Sequence, residues 1–518
     1  MSNAPLPTGV EPVWRRRLLI FALVIAAIFA GLRFVRVDAD LPPGITPSFS
    51  LFTDEGIYAR NAANFAAGRP WRVPTDYNTG VNYPAFSAPQ ALVFGLFGAN
   101  MAVARGLNAV YSIILIALLA SLLWRCVSPL AASVMAALAL SNYVLFFFSR
   151  FAHLDIPMAM WLALALLMIF AADRPVSIAR GVGIGVAFAL AMLTKTNAFF
   201  ALPALLWGVW SQSRFASGLD TPTTPKARLK RVIAPIVAMG SACAILLAAY
   251  GVFIVVPFLD DYRVVAGSVI SDRLRLNPAT LAYGVWRMLA GGTRIDLLLY
   301  PLGLLVGLVV IVRDARVRPI AVALLLWIVM YAGLMGTQGG ARPTRYYLPV
   351  AAPVMALVGV GVEFVSRRKA NVVVALAVGG VAASFAWNSY KVARDLADAR
   401  YTFRDAAMSI RDHIRADGVS EPLMLGHIAG NLGLYNGVPS VGSHFGRETE
   451  RWQAFDLSRF RPTHFVSYGP IAPLQQRLLS EAGYEWELED RYEIMGSYYR
   501  DGGGTCLYRL ISPVSDLP

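Results

Sequence analysis

The chain has 518 residues, of which 57% are hydrophobic and 15% charged, with a formal net charge of +14. Soluble globular chains carry about 25% charged residues, so this composition excludes an ordinary soluble domain and points to a protein facing lipid over much of its surface. The positive charge forms no basic stripe interleaved with exposed aromatics, which argues against a nucleic-acid partner. Three cysteines are too few for a disulfide framework.

Read at about 20 residues per span, the chain shows eleven apolar segments, near 18–37, 101–124, 129–148, 153–172, 179–195, 198–212, 232–257, 295–312, 318–336, 346–365 and 371–390. The stretch 179–212 also reads as one long span. Cys126 and Cys243 lie at or within these segments, leaving Cys506 alone in the polar tail with no intrachain disulfide expected there. Basic residues fill every second connection. Arg15, Arg16 and Arg17 precede the first span; Arg125, then Arg174 and Arg180, then Lys226, Arg228, Lys230 and Arg231 follow. Arg313, Arg316 and Arg318, and finally Arg367, Arg368 and Lys369, complete the series. The positive-inside rule assigns these connections to the cytoplasm, and the alternation holds with eleven spans but breaks if one is missing. The N-terminus is therefore expected in the cytoplasm and the tail after about residue 390 outside it. Arg33 and Arg36 interrupt the end of the first span, and no small-x-small cleavage site follows, so that span reads as an uncleaved anchor.

Three segments are not membrane-like. The loop 38–85 is rich in Pro, Asp, Asn and Gly and holds one short amphipathic helix candidate. The loop 258–294 mixes Asp260, Asp261 and several arginines with aromatics, the pattern of an interfacial helix. In the tail, 391–518, helical starts (Arg404 to Ala416, Pro473 to Ala482) alternate with strand-like runs (Pro422 to Leu425, Thr463 to Tyr468, Cys506 to Ile511), which predicts a small α/β domain. Its histidines, His413, His427, His444 and His464, show no ligand spacing and read as surface or packing residues.

On this topology the polar residues at the outer ends of the spans come from four turns. Asp54 and Glu55 lie in the first loop, and Arg150, His153 and Asp155 in the turn between the third and fourth spans. Lys195 and Asn197 follow in the next outer turn, and Arg342 and Arg345 precede the tenth span. Ionisable groups at a bilayer boundary are costly unless paired or wetted, so a shared cavity is expected. Each also has a plain structural reading. Thr53 is a candidate N-cap with Asp54 and Glu55 in the first helical turn, and Asp155 is a candidate N-cap of the fourth span. Arg150, Lys195, Arg342 and Arg345 are candidates for snorkelling to headgroups. His153 alone reads as a boundary residue, and its spacing to Asp155 is too short a pattern for a metal site.

The stretch Asp54-Glu55-x-x-Tyr58-Ala59 resembles the first outer loop of polytopic glycosyltransferases of the GT-C superfamily, within it the protein O-mannosyltransferase and aminoarabinose (lipid A) transferase group. The likeness continues through Gly68-Arg69-Pro70-Trp71, Phe97-Gly98 and Arg105. Ser149-Arg150-Phe151-Ala152-His153-Leu154-Asp155 is similar to that group's Arg-x-x-x-Leu-Asp element. Leu193-Thr194-Lys195 with Leu202-Pro203 is similar to its Thr-Lys … Leu-Pro turn, and Arg345-Tyr346-Tyr347-Leu348-Pro349 to its Arg-Tyr-x-Leu-Pro element. Each motif alone is weak; the ordered set, over most of residues 15–365, is fairly specific. One departure concerns the end of the first loop, where such proteins usually carry Lys-Pro-Pro or His-Pro-Pro and this chain has Asn82-Tyr83-Pro84-Ala85.

The resemblance implies an α-helical polytopic membrane protein of GT-C type with about eleven transmembrane helices (residues 1–390) and an α/β domain on the outer face (391–518). It implies a cell-membrane enzyme that moves a sugar from a polyprenyl-phosphate donor to a glycan, lipid or protein acceptor by an inverting displacement. In that chemistry Asp54 is the general base, and Glu55 shapes the site or binds the sugar. Lys195, Arg342 and Arg345 stabilise the leaving phosphate, assisted by Arg150 or His153, while Asp155 orients Arg150 or the acceptor. Tyr58, Trp71 and Tyr83 are candidate sugar platforms. No cofactor is required, and a divalent metal is compatible with the scheme. The competing classes are a lipid or glycolipid transporter and a non-catalytic envelope assembly protein. Against the first, no paired Gly/Pro-broken spans stand in corresponding halves.

Overall fold

The computed structural model describes residues 13–42, 45, 54–72, 78–170, 174–215, 225–263, 279, 282, 295–337, 344–367, 371–426, 428–441, 457, 460–494 and 504–511. In chain order the helices begin with α1 (Val13–Leu32), α2 (Asp54–Ala66), the single turn α3 (Thr79–Asn82) and α4 (Pro84–Phe97). They continue with α5 (Met101–Cys126), α6 (Pro129–Ser141), α7 (Tyr143–Phe148), α8 (Asp155–Phe170), α9 (Ile178–Thr194), α10 (Leu202–Phe215) and α11 (Pro225–Tyr250). After the second loop come α12 (Asp296–Arg313), α13 (Arg318–Thr337), α14 (Leu348–Arg367) and α15 (Asn371–Ala397). Every expected apolar segment therefore forms a helix or a helix pair. Among the described residues four stretches, Met101–Cys126, Leu229–Val255, Asp296–Arg313 and Arg345–Arg367, are long and apolar enough to cross a membrane. On α12 the large apolar residues Leu298, Leu302 and Leu305 are exposed at helical spacing, the pattern of a lipid-facing seam.

Local sequence explains where the helices begin and break. Asn100, Ser128 and Ser177 precede α5, α6 and α9, and each accepts a first-turn N–H, from Val103 at 2.9 Å, Ala131 at 3.1 Å and Arg180 at 3.2 Å. Asn142 caps Leu145 in the same way at 2.9 Å, which splits the third apolar segment into α6 and α7. That break is satisfied from neighbouring helices. Asn142 Nδ2 donates to the Tyr300 hydroxyl at 2.9 Å, and the Tyr143 N–H donates to Asn388 Oδ1 at 2.9 Å. Asn388 in turn donates to the fully buried Asp296 at 3.0 Å. Arg33, expected to mark the end of the first span, instead lies fully buried. Its guanidinium reaches Ser112 and Ser149 hydroxyls at 3.1 and 3.3 Å and the Phe29, Leu140 and Ala139 carbonyls at 3.1 to 3.4 Å. It ties the ends of α1 and α6 to the middle of α5 through hydroxyls and carbonyls.

The segments 179–195 and 198–212 form two helices rather than one long span, because Lys195 adopts an extended conformation (φ −160°, ψ 123°) before a tight turn, Thr196–Ala201. Two further differences from the sequence reading have physical causes. Helix α4 lies outside the expected apolar segments; its 14 residues span only about 21 Å, against roughly 30 Å of hydrocarbon. Leu92, Leu96 and Phe97 on it are 65 to 70% exposed, as in a helix lying at a membrane boundary. The last long helix runs to Ala397, so the C-terminal domain begins at Thr402 rather than 391. The interfacial helix expected in 258–294 falls largely outside the described residues.

The C-terminal domain has helices α16 (Thr402–Ala416), α17 (Ala429–Asn436) and α18 (Pro473–Glu481) and strands β1 (Met424–Leu425), β2 (Ser440–Val441), β3 (His464–Tyr468), β4 (Glu485–Tyr492) and β5 (Thr505–Ile511). The sheet order is β2-β1-β3-β5-β4, with β1 parallel to β2 and β3, and β5 antiparallel to β3 and β4. Alternate residues face opposite sides. Met424, Val466 and Leu507 pack against α16 and α17, while Leu425, Phe465, Cys506 and Tyr508 pack against α18. The domain is a three-layer α/β/α sandwich on the loop-bearing end of the bundle. Asp40, just after α1, caps α16 by accepting from the Thr402 and Phe403 N–H groups at 2.7 and 3.2 Å. Arg36 donates to the Leu396 and Ala397 carbonyls at 2.8 and 2.9 Å. The first and last long helices thus meet where the first loop begins.

Candidate active site

Helix ends supply the site. Asp54 and Glu55 stand in the first turn of α2, Asp155 in the first turn of α8, and Lys195 just after α9. Acids at N-termini and a cation at a C-terminus suit the helix dipoles. Arg345 comes from the tight turn Thr344–Tyr347 that leads into α14.

These residues meet through one arginine. The Arg345 guanidinium, with a side chain 4% exposed, forms an ion pair with Asp54, whose side chain is 15% exposed. The same guanidinium faces His153 Nδ1 at 3.0 Å and donates to the Tyr346 hydroxyl at 3.2 Å. Asp155 holds Lys195 at 2.5 Å. Arg345 and Lys195 both lie over the Tyr346 ring, 4.9 and 4.7 Å from its centroid. Tyr58 completes the wall, edge-on to His153 at 5.9 Å and to Tyr83 at 6.1 Å. Asp54, Tyr58, Tyr83, His153, Asp155, Lys195 and Arg345 therefore share one cluster.

Its electrostatics define proton positions. Burial, then Arg345, Lys195 and Arg105, holds the His153 imidazole well below its usual range, so the ring is neutral. Because Arg345 donates to Nδ1, the ring proton sits on Nε2, which is buried and has no hydrogen-bond partner among the described residues. Arg345 Nε is a second buried donor of this kind. Burial and the neighbouring Asp54 carboxylate push the Tyr58 phenol well above its usual range, keeping its O–H intact.

Two expected site residues are placed elsewhere. Glu55 is fully buried, and Arg105 grips it with Nε at 2.9 Å and Nη2 at 2.7 Å, while the Ala152 N–H donates to it at 2.9 Å. It links α2, α5 and the turn before α8, and does not face the cluster's exposed carboxylate. Arg150 donates to the Val35 carbonyl at 2.8 Å and to the Arg36 carbonyl, closing off the C-terminal end of α1. Arg342 lies outside the described residues. Trp71 packs edge-on against Phe258 at 5.7 Å. Sequence reasoning missed the role of Tyr346, although it adjoins Arg345 in a motif quoted above, and the pairing of Arg105 with Glu55. Among the described residues the cluster of His and carboxylates with metal-like proximity is Asp417, His464 and Glu489, in the C-terminal domain. There Arg509 also faces Asp417 at 3.6 Å, which makes it an ion-pair network.

A bundle of apolar helices with a sandwich domain on its loop-bearing end, and one carboxylate among cations from helix ends, is the GT-C type of polytopic membrane fold. Residues 82–222 match the family model described as dolichyl-phosphate-mannose-protein mannosyltransferase. The structure is similar to that of ArnT from Cupriavidus metallidurans bound to undecaprenyl phosphate, with a TM-score of 0.61, 15% identity, and coverage of 96% of this chain and 98% of that one. It is also similar to the oligosaccharyltransferase AglB from Archaeoglobus fulgidus in complex with an inhibitory peptide and a dolichol-phosphate, with a TM-score of 0.53, 14% identity, and coverage of 96% and 75%. Sequence comparison with curated proteins finds no match.

Proposed function

We propose that this protein transfers a sugar from a polyprenyl-phosphate donor to an envelope acceptor hydroxyl at the extracytoplasmic face of the cell membrane, with its N-terminus in the cytoplasm. The observation that carries this reading is a partly exposed carboxylate, Asp54, set beside Arg345, with buried donors at His153 Nε2 and Arg345 Nε that lack partners among the described residues. Unmet buried donors suit an anionic group. The bound undecaprenyl phosphate and dolichol-phosphate of the two similar structures support the donor class.

A phosphate leaving group needs cationic stabilisation more than protonation. Arg345, Lys195 and the His153 Nε2–H provide it. The donor phosphate competes with Asp54 for Arg345, and the carboxylate it displaces becomes free to accept the acceptor's proton. The acceptor oxygen then bonds the anomeric carbon as the carbon–oxygen bond to phosphate breaks, and polyprenyl phosphate departs. One displacement inverts the anomeric configuration. Asp155 fixes Lys195, and Tyr58 and Tyr83 offer faces and hydroxyls to the sugar. Glu55 holds α2 in place. Fixed cations supply the charge in this scheme, so it does not depend on a metal.

The test compares envelope glycans and glycolipids by mass spectrometry in cells with the gene deleted, restored, or restored as Asp54→Asn. Loss of one sugar on deletion, rescued by the wild type and not by the variant, supports the reading and reveals the acceptor. An unchanged glycan profile with the protein expressed would overturn it in favour of transport or scaffolding.

A further inference from the structure

The backbone N–H groups of a first helical turn have no partners within their own helix. In α2 this turn carries Asp54, and one of its N–H groups, that of Gly56, donates to Asn431 Oδ1 at 2.7 Å, from a residue 375 positions later. Asn431 is 2% exposed and belongs to α17 of the C-terminal domain. The two helices touch backbone to backbone. A Cβ at Gly56 would meet the main-chain atoms of Gly430 and Asn431 at 2.2 Å, so no other residue allows this approach. One turn further on, Leu434 packs among Ala59, Ala62, Ala104 and Ala152, small residues of α2, α5 and the turn bearing His153. Tyr435 donates to the Asp38 carbonyl at 2.8 Å, at the start of the same loop. Helix α17 is itself anchored, since Ile428 and Leu432 pack with Val466 and Leu507 of the sheet. It is ended by Gly437 in the left-handed conformation.

We infer that α17 positions the Asp54 carboxylate, with Asn431 as a positioning residue that caps the catalytic helix from the far end of the chain. The C-terminal domain is then part of the catalytic apparatus through its grip on α2. Loss of the cap frees the first turn of α2, so Asp54 spends less time where the acceptor proton is taken, while Arg345 and Lys195 still bind the donor.

The kinetic arm of the test rests on the transferase reading, and the exchange arm does not. Full-length protein in lipid nanodiscs is prepared as wild type, Asn431→Leu, which removes the acceptor at similar volume, and Asn431→Asp, which keeps an acceptor oxygen. Hydrogen exchange of the amides of residues 54–58 is expected to accelerate about ten-fold in Asn431→Leu, as for one lost hydrogen bond, and to stay near wild type in Asn431→Asp. In the same preparations kcat should fall about ten-fold in Asn431→Leu, with donor KM within about two-fold, and recover in Asn431→Asp. If Asn431→Leu does not fold, Asn431→Ala replaces it and is read in the same way. Wild-type exchange and kcat in the folded variant, or equal losses in Asn431→Leu and Asn431→Asp, would overturn the inference. If the wild type shows no transferase activity but the exchange pattern appears, the proposed function fails and the helix cap stands.

Discussion

The Glu55–Arg105 pair separates a positioning role from a catalytic one. Both side chains are buried, at 0% and 6% exposure, and removing one member of such a pair costs about 3 to 5 kcal/mol because the other charge is stranded. Glu55→Gln keeps an oxygen for the Ala152 N–H and leaves Arg105 with the Val37 and Ala39 carbonyls at 3.2 and 2.7 Å. Its cost should therefore fall near the lower limit, about 3 kcal/mol. Arg105→Met removes the guanidinium from Glu55 and leaves it the Ala152 N–H at 2.9 Å, which puts its cost at about 5 kcal/mol. The double variant strands no charge and loses chiefly the carbonyl contacts, so it should cost far less than the sum of the two. The expected coupling energy is at least about 2 kcal/mol. Denaturant unfolding of the purified protein in micelles measures all four corners of the cycle, and transferase assay of the folded fraction adds the functional reading. The double variant should recover turnover along with stability. Additivity within about 0.5 kcal/mol, or a stable double variant with no turnover, would refute the positioning role of Glu55.

Asp54→Asn should lower stability, because it strips the buried Arg345 guanidinium of its carboxylate partner, and should abolish turnover in the folded fraction while donor binding persists; retained turnover in a purified assay would remove the base assignment. Lys195→Ala and Arg345→Ala should each weaken donor binding, measured as KM or as lipid-phosphate affinity, and Arg345→Ala the more so, because its guanidinium touches Asp54, His153 and Tyr346. In the C-terminal domain, burial first and then Asp417 push the Glu489 carboxyl up to about 7. A raised carboxyl pKa leaves the folded state unpenalised below the ordinary value of 4.5 and costs it stability progressively as pH rises from there to about 7. Glu489→Gln should therefore raise the melting temperature relative to wild type more at pH 8 than at pH 5, with the opposing contribution of His464 common to both chains. An equal difference at both pH values would contradict this.

The long helices and their order were legible because twenty-residue apolar runs and their flanking arginines carry a strong signal. The strands β3 and β5 and the helices α16 and α18 were also readable, being respectively short apolar runs and amphipathic stretches. Strand β4 was not, since Glu485 to Tyr492 is largely exposed and its alternation is interrupted by an irregularity between Leu488 and Asp490. Helix α17 was hidden for a different reason. Its sequence, Ala-Gly-Asn-Leu-Gly-Leu-Tyr-Asn, has poor helix formers whose use lies in a close crossing with α2. The members of the cluster were legible as charges at span ends, and Asp54 was set apart from Glu55. The pairing of Glu55 with Arg105 was not readable, because it depends on the direction in which the helix turns each of two adjacent carboxylates.

The cap on α2 also sets a schedule. Gly56 leaves the ribosome 375 residues before Asn431, which at about 5 to 20 residues per second is roughly 20 to 75 s of synthesis. Asp40 waits almost as long for Thr402, its partner 362 residues on. Through that interval the first loop lacks the segments that shape it, and chains cut short before α17 never acquire the contacts that finish α2. On the proposed function such truncated chains would be inserted in the membrane yet inert, and activity would appear only with the last stretch of the polypeptide.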